Sequence, residues 1–154
     1  MTTALALIAE KGLSQCNMIE IADRARVSRA SLYNHFRDKN EVFLAVVELE
    51  VERIVQLALR EREVEARLAI VSKEVSGHRS LATSVAKDPA TIAILLSRHD
   101  GELWSKIYQG LASLVASDSA GTAIALRWLI GQIFIPLVPE QSETQSRLIA
   151  EAIR

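Results

Sequence analysis

A chain of 154 residues can bury one good core, or a small module on a larger one. Its hydrophobic share of 49% with only 5% aromatic, six Gly and three Pro indicates helices built on Leu, Ile, Val and Ala, hence an all-α fold. A net charge of −1 excludes a chain that is basic throughout, and a single cysteine excludes an internal disulfide framework and favours a reducing compartment.

Thr3–Lys11 reads as a short first helix with Leu5, Ile8 and Ala9 apolar and Gly12 placed to end it. Asn17 is the candidate N-cap of the next helix, and Glu20 completes a capping-box pattern three residues on. From Met18 to Phe36 the chain reads as two short helices joined by a tight turn. Ile21, Ala22 and Ala25 form one face of the first, Val27 sits in the turn, and Leu32 and Phe36 lie four apart on the second. Ala22 is small enough to let the two helices cross closely. Ser28 can cap the second helix through its hydroxyl. Arg29, Ser31, Tyr33, Asn34 and His35 are then left on the outer side, the face that a helix-turn-helix lays into the major groove.

A third start follows, with Asp38 as cap, Lys39 in the first turn and Glu41 at the third position. Its apolar positions run to about Arg60, one long helix linking the DNA-facing end to the rest. Val64 to Gly77 is the next helix, with a break at Ser76-Gly77-His78 and helix again from Ser80 to Lys87. Asp88-Pro89 opens a further helix that ends near Ser97. Glu102–Ala116 carries Leu103, Ile107, Leu111 and Leu114 on one face. Ser119–Ile135 is apolar almost all round and is expected to be buried on more than one side. Pro136 and Pro139 stop it, and Ser142–Arg154 forms a last amphipathic helix on Leu148, Ile149, Ala152 and Ile153.

Residues 24–39 hold Arg24, Arg26, Arg29, Arg37 and Lys39 against Asp38 alone, a local charge of +4. From Glu48 onward there are 12 basic and 14 acidic residues. A small basic patch on a slightly acidic body fits a protein that touches phosphate at one end. The side chains suit that role. Arg29 can donate two hydrogen bonds to a guanine edge, Asn34 can pair with adenine, and Ser31 can touch a base or a phosphate.

Gly12, Ile21-Ala22, Ala25-x-Val27-Ser28, Leu32-Tyr33-x-His35-Phe36 and Lys39 ahead of Glu41 together resemble the DNA-binding domain of the TetR family of transcriptional repressors. The clear resemblance covers about the first third of the chain; beyond it, only size and helical layout are similar. It implies phosphate contacts from Tyr33, His35 and Lys39, and an effector site in the C-terminal helices. Arg26 stands where the family usually has a turn glycine, so a non-Gly residue is expected at positive φ. Cys16 replaces a usual Thr. The family also has a longer first helix, often after a basic arm, so a longer start is expected to add apolar cover.

The expected organisation is a three-helix helix-turn-helix domain over residues 1–47 and a helical effector-binding and dimerisation domain over 48–154. The protein is expected to regulate transcription as a repressor: a homodimer bound to a palindromic double-stranded DNA operator and released by an unknown small-molecule effector. The alternative is a helical ligand-binding protein that has lost DNA recognition, suggested by the short first helix and Arg26.

The DNA-binding set is Asn17, Ser28, Arg29, Ser31, Tyr33, Asn34, His35 and Lys39, with Asn17 and Cys16 at a helix N-terminus expected to face phosphate. Trp104, Tyr108 and Phe134 are the candidates for an effector pocket. Gly121, Ile124, Ala125, Trp128, Leu148, Ile149 and Ala152 are the expected dimer interface, with Trp128 as anchor and Gly121 and Ala125 allowing close approach. Gly131 is expected among the small residues packed around Trp128.

Cys16 is expected to be a small buried residue rather than a redox sensor. His78, His99 and Asp100 lack the spacing of a metal site, and no catalytic constellation or cofactor motif appears, so neither an enzyme nor a metalloprotein is expected. The start of the chain lacks the pattern of a signal peptide. Ala123–Val138, interrupted by Arg127, Gln132 and Pro136, falls short of the ~20 apolar residues that span a bilayer. A cytoplasmic protein without a membrane partner is the expectation.

Overall fold

In the computed structural model, residues 2–12, 14–97 and 101–153 are described, and every regular element among them is an α-helix. In chain order these are α1 (Thr2–Lys11), α2 (Met18–Ala25), α3 (Arg29–His35), α4 (Lys39–Ala58), α5 (Val64–Ser76), α6 (Arg79–Lys87), α7 (Pro89–Ser97), α8 (Glu102–Val115), α9 (Ser119–Phe134) and α10 (Pro139–Ala152). The expected breaks near Arg60 and at Gly77 are both present. The chain forms two compact units, Met1–Leu49 with Arg79–His99, and Glu50–His78 with Asp100–Arg154. Helices α6 and α7, which follow residue 47 in the sequence, therefore belong by their packing to the first unit. His99 and Asp100 lie outside the described residues.

The core of the first unit is Ala4, Leu7, Ile8, Cys16, Met18, Ile21, Ala22, Leu32, Val42 and Val46, with Phe36 and Phe43 packed against it. On α1 the buried residues are Ala4, Leu7 and Ile8, the i, i+3, i+4 set, which includes Ile8 of the apolar positions named from the sequence. Ala9 is half-buried, and the side chain of Leu5 lies outside the described residues. Gly12 ends α1 at φ +82°, its N–H donating to the Ile8 carbonyl at 2.8 Å. The carbonyls of a helix's last turn lack intrahelical partners. Here α6 supplies them: Thr83 Oγ1 donates to the Ala9 carbonyl at 3.0 Å and Lys87 Nζ to the Glu10 carbonyl at 3.1 Å. A cation at that end also suits the helix dipole.

The core of the second unit gathers Ile54, Ala58, Leu68, Val71, Leu111, Leu114, Val115, Ala125, Leu129, Ala150 and Ile153. Its largest helix pairing is α5 with α10. The buried face of α10 is Ser142, Ser146 and Ala150, ending at Ile153, whereas Leu148 and Ala152 are exposed. The expected stripe of Leu148, Ile149, Ala152 and Ile153 is thus half right. Small side chains at i, i+4 and i+8 let α10 lie close along α5, and that contact outweighed the burial of one leucine. Gln132 is also buried, its Oε1 accepting from Ser72 Oγ at 2.7 Å and Ser76 Oγ at 2.9 Å. Those bonds explain how α9 carries an amide inside an apolar core. Among the described residues no helix is long and apolar enough to cross a membrane.

Candidate nucleic-acid interface

Asn17 adopts an extended backbone, φ −134° and ψ 160°, and its side chain accepts from the Glu20 N–H at 2.9 Å. The return half of the expected capping box is replaced: the Glu20 carboxylate pairs with Lys11 on α1. Met18, Ile21 and Ala22 bury the inner face of α2, Ala22 completely. Arg26 then takes the left-handed conformation at φ 56° and ψ 39°, its N–H bonding to the Ala22 and Asp23 carbonyls. The expected positive φ is present, and the turn closes without glycine because the cap bonds hold it.

Ser28 caps α3, its Oγ accepting from the Ser31 N–H at 3.0 Å. Leu32 is the buried anchor of this seven-residue helix, and Phe36 follows it into the core edge. Arg29, Ser31, Tyr33, Asn34 and His35 are all exposed. Two residues passed over in the sequence share this exposure, Val27 in the turn and Ala30 between Arg29 and Ser31. Their apolar ends suit contact with a thymine methyl group. A small residue flanked by two polar candidates in the first turn was the available signal.

The start of α4 is capped by Asp38, whose Oδ1 accepts from the Asn40 N–H at 2.7 Å and the Glu41 N–H at 3.0 Å. Lys39 Nζ donates to the Ser14 carbonyl at 2.9 Å, which ties this lysine to the α1–α2 loop. Of the basic stretch, Arg24 pairs with Glu10 at 2.8 Å and Arg37 with Glu41 at 3.6 Å. Among the described residues Arg26 and Arg29 make no ion pair, so their charge faces outward undiminished.

One expectation is corrected here. Asn17 is exposed, but Cys16 beside it is 3% exposed and does not face outward. Its Sγ donates to the Gly12 carbonyl at 3.2 Å, and burial pushes its thiol above the ordinary range. A thiol so shielded is a packing residue, not a reactive one.

The remaining candidates lie in the second unit. Trp104 and Tyr108 are half-buried one turn apart on α8, and the Tyr108 hydroxyl donates to the Ser119 carbonyl at 2.9 Å. Phe134 is exposed at the far end of the 16-residue α9, about 22 Å from Ser119 along the helix axis. The three residues therefore do not line one compact pocket.

Gly121 and Ala125 are buried inside the chain itself, which corrects their assignment to close approach between subunits. A Cβ on Gly121 would lie 3.0 Å from Ile153 Cβ, so this glycine serves packing against the end of α10. A Cβ on Gly131 would meet nothing within 4 Å, so Gly131 is not a packing residue. Trp128 is half-buried, its Nε1 donating to Gln145 Oε1 at 2.8 Å. Ile149 packs against the core, whereas Ile124, Leu148 and Ala152 face out. His78 Nε2 lies 3.5 Å from Glu50 Oε1, and no group of three metal-ligating side chains occurs among the described residues.

The elements so far define an all-α protein with an N-terminal helix-turn-helix and a C-terminal helical unit. Residues 1–46 match the family described as bacterial regulatory proteins, tetR family. The HTH-type transcriptional regulator AcrR of Shigella flexneri is 37% identical over 59 residues, 38% of this chain and 27% of that protein. The HTH-type transcriptional activator FasR of Mycolicibacterium smegmatis is 40% identical over 55 residues, 36% of this chain and 25% of that protein. The matched stretch thus spans about a quarter of the length of these curated relatives.

Over the whole fold, the TetR family repressor AlkX from Dietzia sp. superposes with a TM-score of 0.70 at 18% identity, covering 98% of this chain and 96% of its own. FadR from Bacillus subtilis, solved in complex with stearoyl-CoA, gives 0.64 at 15% identity, covering 99% and 94%. Residues 1–46 are thus similar to the N-terminal part of tetR family regulatory proteins, and the solved structures show that the whole chain shares their all-α fold. That family and these relatives are transcriptional regulators, not enzymes.

Proposed function

We propose that this protein regulates transcription by reading a palindromic operator with α3 as a homodimer, and that a small apolar effector held by the second unit releases it. The observation that carries the reading is the outward face of α3. Five polar side chains from Arg29 to His35 stand exposed on a helix pinned by the Ser28 cap and by Leu32. The unpaired Arg26 and Arg29 add the charge that phosphate requires. In this reading Asn17, at the exposed start of α2, and Lys39, in the first turn of α4, contact phosphate.

Dimerisation rests on the outer faces of α9 and α10, with Ile124, Leu148 and Ala152 as the core of the contact and Trp128 at its edge. Two recognition helices would then meet half-sites about one helical turn apart, or a multiple of it. For the effector, Trp104 and Tyr108 mark the nearer candidate surface. The stearoyl-CoA held by the Bacillus subtilis FadR makes long acyl ligands the first class to test.

A gel shift against duplex DNA from upstream of the protein's own coding region, at low and at higher salt, tests the reading. Affinity should fall linearly on a log–log plot against salt. Arg29→Ala should cost about 1–3 kcal/mol and relax preference at one base pair. Binding that ignores salt, or a chain that binds acyl ligands but no DNA, would favour a ligand-binding protein that has lost DNA recognition.

A further inference from the structure

We propose that Arg26 is a phosphate-binding residue, holding the DNA backbone from the turn between α2 and α3, in addition to the contacts that α3 itself makes. The inference rests on the DNA-binding reading above. Among the described residues only Arg26 and Ala116 are non-glycine residues at positive φ, 56° and 49°. A Cβ crowds the following carbonyl oxygen in that region, so glycine is the residue such a turn favours. The turn is closed by backbone groups alone. The Arg26 N–H donates to the Ala22 and Asp23 carbonyls, and the Val27 N–H to the Ala22 carbonyl at 3.1 Å. Glycine would make the same bonds, so closing the turn gives a long cationic side chain no task.

That side chain is also uncommitted. Arg24 and Arg37, in the same basic stretch, are paired with Glu10 at 2.8 Å and Glu41 at 3.6 Å. Arg26 is exposed and makes no ion pair or side-chain hydrogen bond among the described residues. Every residue from Arg26 to Ser31 is exposed, so the turn and the start of α3 form one open run. A helix-turn-helix lays the first residues of its second helix on base edges while its first helix crosses the backbone. The turn joining the two then passes over the phosphates at the edge of the groove, and Arg26 is the cation it carries there. A guanidinium with all its donors available suits bidentate binding of a phosphate. The strained backbone at Arg26 is then stability given up at the point of contact. Phosphates are alike on every duplex, so this contact carries no sequence information, unlike that of Arg29.

The test uses the full chain and the anisotropy of two labelled duplexes, titrated from low to physiological salt. One duplex comes from upstream of the protein's own coding region and the other has an unrelated sequence. Arg26→Gln should reduce the slope of log affinity against log salt by about 0.9 and weaken binding alike on both duplexes. Arg26→Lys keeps the charge and should retain most of the slope. Arg26→Gly should bind as weakly as Arg26→Gln, yet melt about 2–4 °C higher, because the turn is relieved of its Cβ. Affinity and stability then move in opposite directions, so the lost affinity does not come from a looser turn.

An unchanged slope in Arg26→Gln, or equal losses in Arg26→Gln and Arg26→Lys, would overturn the inference while leaving the DNA-binding reading intact. So would a loss confined to the upstream duplex, which would mark a base contact. A wild-type chain without salt-dependent binding to either duplex would overturn that reading, and this inference with it. If Arg26→Gly fails to fold, Arg26→Gln against Arg26→Lys decides, since both keep a Cβ at the same positive φ and differ in charge.

Discussion

In the first unit α2, α3, α4 and α7 begin at Asn17, Ser28, Asp38 and Asp88, each with a side-chain oxygen on its own first turn. In the second, α5, α8 and α10 begin at Glu63, Gly101 and Val138 without a side-chain cap, and Asp118 alone performs that service, for α9. Length alone does not set the contrast, since the 20-residue α4 and the 16-residue α9 are capped too, but the shortest helices depend on a cap most. The eight residues of α2 and seven of α3 are too few to sustain a helix by propagation, so their ends need local chemistry. The 13, 14 and 14 residues of α5, α8 and α10 are held by lateral packing instead. A reading face needs a short element in a fixed pose, which caps provide. A helical bundle needs continuous faces, and there the caps matter less.

The largest effect expected is from emptying each core in turn. Leu7 and Leu68 are both fully buried, one in each unit. Leu7→Ala and Leu68→Ala should each cost about 2–5 kcal/mol in urea unfolding. If the units are as separate as their cores, Leu7→Ala should lower the protection of α1–α3 amides from hydrogen exchange and leave α8–α10 unchanged. Leu68→Ala should do the reverse, and loss of protection everywhere from either change would show one cooperative core.

A pair of substitutions on α9 sharpens the account of lateral packing. Gly121→Ala drives a methyl into Ser117 and Ile153 and should cost about 1–3 kcal/mol. Gly131→Ala meets open space and should stabilise the helix by about 0.5–1 kcal/mol. Thermal melts of the two variants should therefore move in opposite directions. Shifts of the same sign would mean that α9 is not seated on α10 as described.

The smallest effects are those of pH, and they separate the units. In the second, Arg53 holds the Glu50 carboxyl below its ordinary value of 4.5, against the effect of burial. A depressed acid adds stability that is present above the unfolded value and lost as pH falls through the lower folded one. In the first, burial raises the Cys16 thiol above 9.0, so its contribution is present below that pH and lost as pH rises through the folded value. Glu50→Gln should flatten the acid limb of a stability–pH profile, and Cys16→Ala the alkaline limb. The same shielding should keep Cys16 slow towards iodoacetamide until the first unit unfolds.

What could be read directly from the amino-acid order was the chemistry that acts within a turn or two. Asn17, Ser28 and Asp38 as caps depend on neighbours within about four residues, whereas positive φ at Arg26 was implied by the family resemblance. What the order of residues left open was any choice among faces of similar polarity. On α10 the leucine at 148 suggested an inner face, yet Ser142, Ser146 and Ala150 lie against α5 because small side chains bring two helices closer than a leucine would. Gly121 and Gly131 look alike in sequence, and only the position of Ile153 separates a packing glycine from an open one. Nor does any local signal in Thr83 or Lys87 reveal that they meet the end of α1, more than 70 residues earlier. Helix ends are governed by groups close along the chain, and helix faces by whatever the rest of the chain brings beside them. Local order therefore determined the caps of the helix-turn-helix, and tertiary packing decided which faces of the other helices are buried.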